Sequence, residues 1–89
     1  MSGRDTSYAV PMVHLNGTSR SVLLEQLTEA GHAVIEAIEA LSKAAPNGRD
    51  YYVQGDGAFR MARAQHEHRM ARLRDVHSEL QQIAAAVAQ

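Results

Sequence analysis

The chain has 89 residues, enough for one small domain. Hydrophobic residues make up 45% of it, but many are alanine, and with one Phe, three Tyr and no Trp we expect no thick core. The absence of cysteine excludes a disulfide scaffold, a thiol nucleophile and a cysteine zinc site. A formal net charge of −1 argues against a general polyanion binder. No apolar run is long enough for a membrane span, and the first residues lack a secretory signal pattern, so we expect a cytoplasmic protein.

The N-terminal segment 1–17 differs in character from the rest, because glycine, proline and an Asn-Gly turn signal interrupt it. Its apolar stretch 8–15 predicts an extended arm that lies on another surface. Pro11 argues against a central strand, since proline cannot donate a hydrogen bond to a neighbouring strand.

Two long helices follow the arm. Thr18 and Ser19 can cap a first helix over 18–45 by accepting its free N–H groups. A Pro-Asn-Gly sequence ends that helix and opens a loop over 46–57. A second helix, without Gly or Pro in its interior, is predicted over 58–88.

Apolar residues recur in both helices at alternating steps of three and four, which is typical of a heptad seam. The predicted seam of the first helix is Leu24, Leu27, Gly31, Val34, Ile38, Leu41 and Ala45. That of the second is Phe59, Ala62, His66, Arg69, Leu73, Val76, Leu80, Ile83 and Val87. Leu23, Ile35 and Met70 lie beside these seams and widen the apolar stripe. The short connection predicts an all-α antiparallel helical hairpin.

Two helices of this width bury little apolar surface. We therefore expect the hairpin to pair with copies of itself as a four-helix dimer or a higher helical-bundle homo-oligomer. The N-terminal arm would then lie on the partner chain.

The predicted second seam contains two polar residues in succession, His66 and Arg69. In one interpretation Arg69 pairs with Glu36 or Glu39, and His66 has a backbone or carboxylate partner, because a buried unpaired charge is costly. In the other, the helices separate there to leave a polar pocket that contains His66 and Arg69.

The loop carries the densest group of chemically versatile side chains. A guanidinium such as that of Arg49 suits phosphate or carboxylate, and two tyrosines can stack on a base. The alternative is a loop that packs on itself with a local ion pair. The candidate residues are Asn47, Arg49, Asp50, Tyr51 and Tyr52.

Between Arg60 and Arg74 the second helix carries five arginines and one acid, Glu67. The preference for arginine over lysine favours contacts with oxyanions, although a solvated helix face would look similar. Duplex DNA binding is disfavoured by the acidic net charge and by the lack of a helix-turn-helix pattern.

Neither metal binding nor catalysis has a supporting motif. His66 and His68 are two residues apart, about 200° around a helix, so they cannot share an ion. We expect no metal, no cofactor and no enzymatic activity.

The sequence contains the stretches HLNGTS at 14–19 and PNGRDYY at 46–52, and its second helix carries His66, His68 and Arg69. In these features it resembles a family of small uncharacterised proteins encoded by tailed phages and prophages of proteobacteria. The resemblance covers most of 13–84. It implies a phage setting and supplies no activity.

Small phage proteins often block host defences, and several such defences signal through nucleotides. We therefore expect a counter-defence protein that sequesters a nucleotide-type immune signalling molecule without cleaving it. The alternative is a small protein-binding module, either a phage assembly accessory or an inhibitor of a host protein. The expected ligand-binding residues are Asn47, Arg49, Asp50, Tyr51, Tyr52, His66 and Arg69.

Overall fold

A computed structural model shows two long helices that pack against each other. It describes residues 8–89 apart from the side chain of Asp56. These residues contain no strand, so the predicted all-helical class is confirmed. Helix α1 spans Arg20–Lys43 and helix α2 spans Asp56–Ala88, with two short 3₁₀ helices, Gly48–Asp50 and Tyr52–Gln54, between them.

The segment that precedes α1 contains neither helix nor strand from residue 8 to residue 19. A turn lies at its end, where the N–H of Gly17 donates to the carbonyl oxygen of His14 at 3.1 Å. The predicted extended arm over 1–17 falls in part on residues 1–7, which lie outside the described residues. Its contact with a partner chain remains a prediction.

Helix α1 begins at a serine cap. Ser19 has an extended backbone, and its Oγ accepts a hydrogen bond from the N–H of Val22 at 3.3 Å. At the other end the N–H of Ala44 donates back to the carbonyl oxygen of Leu41 at 2.9 Å. The helix is thus two residues shorter at each end than the predicted range 18–45.

The loop is held by its own hydrogen bonds. The Oδ1 of Asn47 accepts from the N–H of Arg49 at 3.1 Å and starts the first 3₁₀ turn. The N–H of Tyr51 then donates to the carbonyl oxygen of Gly48 at 3.0 Å. Gly55 has a φ of 96°, a conformation that glycine alone adopts easily, and it directs the chain into α2. That helix begins two residues before the predicted position 58.

The two helices run antiparallel, and two contacts establish their register. A Cβ added at Gly31 would lie 3.9 Å from the Cδ2 of His77, so these residues face each other. At the open end the Nε of Arg20 donates to the carbonyl oxygen of Val87 at 3.0 Å. Gly31 is itself buried, and a methyl group at this position would meet the His77 ring at an ordinary contact distance.

The prediction for the seam of α1 agrees with its burial pattern, except that Ala45 lies beyond the helix end and is exposed. The seam of α2 was predicted wrongly at two positions. Met70 and His77 face α1 where Arg69 and Val76 were expected. Because adjacent residues lie about 100° apart on a helix, a one-residue change moves a side chain from the seam to its flank.

The helix interface is thin. No side chain in the described part is fully buried, and the most buried are Val87, His66 and Met70, at 4%, 5% and 8% exposure. Several large apolar side chains remain exposed, among them Val76 at 42% and Ile35 at 38%. Within residues 8–89 no helix has the length and apolarity needed to cross a membrane.

Candidate functional site

A groove opens between the helices next to the loop, with a volume of about 370 Å³. We call it the loop-end groove. Its chemistry comes from four polar side chains, and the remainder of its lining is apolar. The lining residues are Leu41, Ala44, Pro46, Tyr51, Ala62, Gln65, His66 and Arg69.

The second helix places His66 and Arg69 on one side because they are three residues apart. His66 is buried, at 5% exposure. None of the described side-chain nitrogens and oxygens is both sealed from solvent and without a hydrogen-bond partner, so solvent still reaches the His66 ring nitrogens. Arg69 is exposed. The groove therefore combines a recessed imidazole with an accessible guanidinium.

The predicted ion pair between Arg69 and Glu36 or Glu39 is not formed among the described residues, and His66 has no carboxylate or backbone partner there. The reason lies in α1. Leu41 is the α1 residue that lines the groove, and Glu36 and Glu39 lie about 140–160° around the helix from it. The glutamates therefore point away from α2, and the guanidinium of Arg69 stays available to a ligand.

Both the backbone and the ring of Tyr51 are held by contacts within the fold. Its backbone is fixed by the 3₁₀ hydrogen bond to Gly48. Its ring packs at a tilt of 42° on Phe59, with the ring centroids 6.2 Å apart. Phe59 also lies close to Gly48, 3.9 Å from where a Cβ would stand. The tyrosine is thus anchored while it contributes to the groove wall.

The structure brings together only three of the predicted site residues, Tyr51, His66 and Arg69. Asn47 acts instead as the cap of the first 3₁₀ helix. Arg49, Asp50 and Tyr52 are exposed and do not line the groove, and Tyr52 is 76% exposed.

Gln65 also lines the groove, although it was not among the residues predicted from the sequence. It lies four residues before Arg69, so the two side chains are neighbours on α2. The spacing of four residues from Arg69 would have indicated Gln65 as a groove residue, once the side of α2 that faces the groove was known.

The opposite face of the hairpin has a different chemistry. A smaller depression of about 160 Å³ lies over Gly31, and His32 and His77 both line it. Among the side chains that the structure describes, no group of three or more His, Asp or Glu is arranged to hold a metal ion.

A further basic region lies along α2 near the loop. Arg60 and Arg63 line an open depression together with Glu67. The guanidinium carbon of Arg63 stands 5.7 Å from the centroid of the Phe59 ring, a cation–π distance. Arg60, Arg63, Arg72 and Arg74 are all exposed.

Comparison with known protein families, with curated proteins and with solved structures finds no significant match to this chain.

Proposed function

We propose that this protein binds a nucleotide-type molecule in the loop-end groove and holds it without cleaving it. In the phage setting that the sequence resemblance implies, it acts as a counter-defence protein that withholds an immune signalling nucleotide from its receptor. The observation that carries the proposal is the exposed Arg69, free of any ion pair within residues 8–89, beside Tyr51 and His66 in one groove.

The lining chemistry suits a phosphorylated ring compound. A guanidinium binds phosphate oxygens through two parallel hydrogen bonds, and the His66 imidazole and Gln65 amide add further donors. The groove lining contains no carboxylate that would repel phosphate. The tyrosine ring offers an aromatic surface for a base.

The groove is also of suitable size. Its volume of about 370 Å³ lies within the range of roughly 300–1,000 Å³ that is usual for small-molecule pockets. The proposal rests on Tyr51, His66 and Arg69, because Asn47 and the exposed loop side chains do not line the groove.

The first test identifies the ligand directly. Purified protein is incubated with extract from cells whose nucleotide-based defences are active, then washed, denatured and analysed by mass spectrometry. Release of an intact nucleotide supports the proposal. Appearance of a hydrolysed nucleotide in solution contradicts the non-catalytic part of it, and an empty protein across several extracts contradicts the proposal as a whole.

The second test assigns the ligand to the groove. With the released nucleotide at about 100 times its Kd, the unfolding free energy of the wild type should rise by roughly 2.7 kcal/mol, which thermal unfolding detects. Arg69→Ala should lose this gain and keep its helical circular dichroism. Arg72→Ala, an exposed arginine of the same helix outside the groove, is the matched control. Equal ligand responses of both variants would place the ligand elsewhere.

The exposed basic edge of α2 favours a second candidate function, the binding of an acidic protein surface. Arg60 and Arg63 offer two neighbouring cations that no described acidic side chain pairs with. In this case Arg60→Glu with Arg63→Glu should abolish capture of a host protein in a pull-down from phage-host lysate. Tyr51→Ala should leave that capture unchanged, whereas it should weaken nucleotide binding.

A further inference from the structure

The depression over Gly31 brings together two histidines that are distant in the sequence. His32 belongs to α1 and His77 to α2, and both side chains line the depression, whose volume is about 160 Å³. His32 is exposed and His77 is half-buried. The two imidazoles thus border one space from opposite helices, an arrangement that no spacing within a single helix indicates.

The register of the hairpin holds the two histidines at nearly the same height. Across the seam, the ring atom of His77 nearest to Gly31 is Cδ2, 3.9 Å from where a Cβ would stand. Because Cδ2 is bonded to Nε2, a nitrogen of the His77 ring lies beside α1. His32 directly follows Gly31, about 1.5 Å further along α1 and about 100° around it.

The depression offers space for an ion together with its waters. Gly31 places no side chain in it, and a water molecule takes up about 30 Å³ of liquid, so the depression holds about five water-sized groups. No arginine or lysine that would repel a cation lies in its lining. Apart from Gly31 and the two histidines, the lining residues are Leu27, Thr28, Leu80 and Gln81.

We propose that this depression binds a divalent transition-metal ion such as Zn²⁺, held by one imidazole nitrogen each from His32 and His77 and by water. Imidazole is the commonest protein ligand for zinc, copper and nickel. A Zn–N bond of about 2.0–2.1 Å requires the two nitrogens to stand roughly 3–3.5 Å apart in a tetrahedral site. His32 is exposed, so rotation of its side chain brings its ring to the ion held by His77.

Two further side chains of the lining suit the second shell of such an ion. Thr28 lies four residues before His32, and Gln81 lies four residues after His77, so each is a neighbour of its histidine on the same helix. Imidazoles that bind a metal commonly donate their second N–H to a nearby oxygen. The Thr28 hydroxyl and the Gln81 amide oxygen can accept from these imidazoles or from waters on the ion.

The ion would fasten the two helices in the middle of a thin interface. Two protein ligands are fewer than the three or four of dedicated zinc centres, and among the described side chains no third one joins them. The ion is therefore exchangeable. It stabilises the fold, because only the folded hairpin holds His32 beside His77.

Titration calorimetry with ZnCl₂ in a buffer free of chelators tests the site. The wild type should bind one ion per chain, and its thermal midpoint should rise with Zn²⁺, fall back with EDTA and stay unchanged with MgCl₂, since Mg²⁺ prefers oxygen ligands. His32→Gln should keep its helical circular dichroism and bind Zn²⁺ at least tenfold more weakly. The matched control is His68→Gln, at an exposed histidine of α2 that does not line the depression, and it should bind as the wild type does.

A second variant tests whether the ion bridges the helices. His77→Gln should also lose the Zn²⁺-dependent rise in midpoint, and the double variant should lose no more than either single one, because removing either ligand breaks the bridge. A Zn²⁺ response that His77→Gln retains would place the ion on α1 alone and overturn the proposal. Equal weakening by His68→Gln would overturn it too, as would half an ion per chain with a doubled mass in light scattering, which would place the ion between two chains. None of these measurements includes a nucleotide, so their failure is separate from a failure of nucleotide binding.

Discussion

The middle of the hairpin and its loop end are formed by the same two helices, but the space between the helices differs between these regions. In the middle, Gly31 faces the His77 ring across the seam, and the depression over the glycine has a volume of about 160 Å³. At the loop end, Leu41 faces the buried His66, and the helices leave a groove of about 370 Å³. The comparison teaches that a glycine in the seam leaves only a small depression, whereas the loop end, where His66 is the seam residue, opens a groove more than twice as large.

The largest expected effect is at the middle of the seam. Met70→Ala should lower the unfolding free energy by about 2–4 kcal/mol, because Met70 is one of the few side chains that the fold buries. Urea denaturation at fixed protein concentration measures the loss. Met61→Ala, at a methionine that is 63% exposed, is the control and should cost much less. Similar losses for both variants would show that the seam does not run through Met70.

A smaller effect is expected at the loop end, where Gly55 has a φ of 96°. Gly55→Ala should destabilise the fold by about 1–3 kcal/mol, since an L side chain is strained in that conformation. Gly57→Ala provides a close control, because a Cβ at either glycine meets nothing within 4 Å and only Gly55 has a positive φ. Thermal unfolding of the two variants should therefore separate the backbone effect from packing. If Gly55→Ala melts no lower than Gly57→Ala, the described loop conformation is wrong.

The smallest expected effect has the opposite sign. Gly31→Ala should raise the unfolding free energy by about 0.5–1 kcal/mol, because alanine favours the helix over glycine. Its Cβ would meet the His77 ring at an ordinary contact distance of 3.9 Å.

Chemical denaturation measures that gain, and Gly31→Leu is the companion variant. The larger side chain should destabilise the hairpin, since it would have to displace the His77 ring from the seam. A loss of stability in Gly31→Ala would show that the helices approach more closely than described.

Local chemistry made much of the fold predictable. The Ser19 cap, the Pro-Asn-Gly stop and the apolar periodicity depend on neighbouring residues along the chain, so they indicated two helices with ends within about two residues of the observed ones. The phase of the α2 seam was not predictable in this way. Met70 and Arg69 lie on adjacent lines of the helix, and both lines repeat every seven residues.

The candidate site was also predictable only in part from the sequence. Tyr51, His66 and Arg69 stood out by residue type, and the structure places them in one groove. The loop residues Arg49 and Tyr52 stood out equally, and the 3₁₀ turns leave them outside it.

The sequence by itself determined the residue types, the two helices and the loop that joins them, because caps, breakers and periodicity act over a few residues. Only the tertiary structure decided that α2 faces α1 through Met70 and His77, and that Leu41 lines the loop-end groove while no glutamate of α1 does. The physical reason is that the rotation of one helix against another depends on side-chain fit across the seam. At Gly31 that fit is a contact with the His77 ring across the seam.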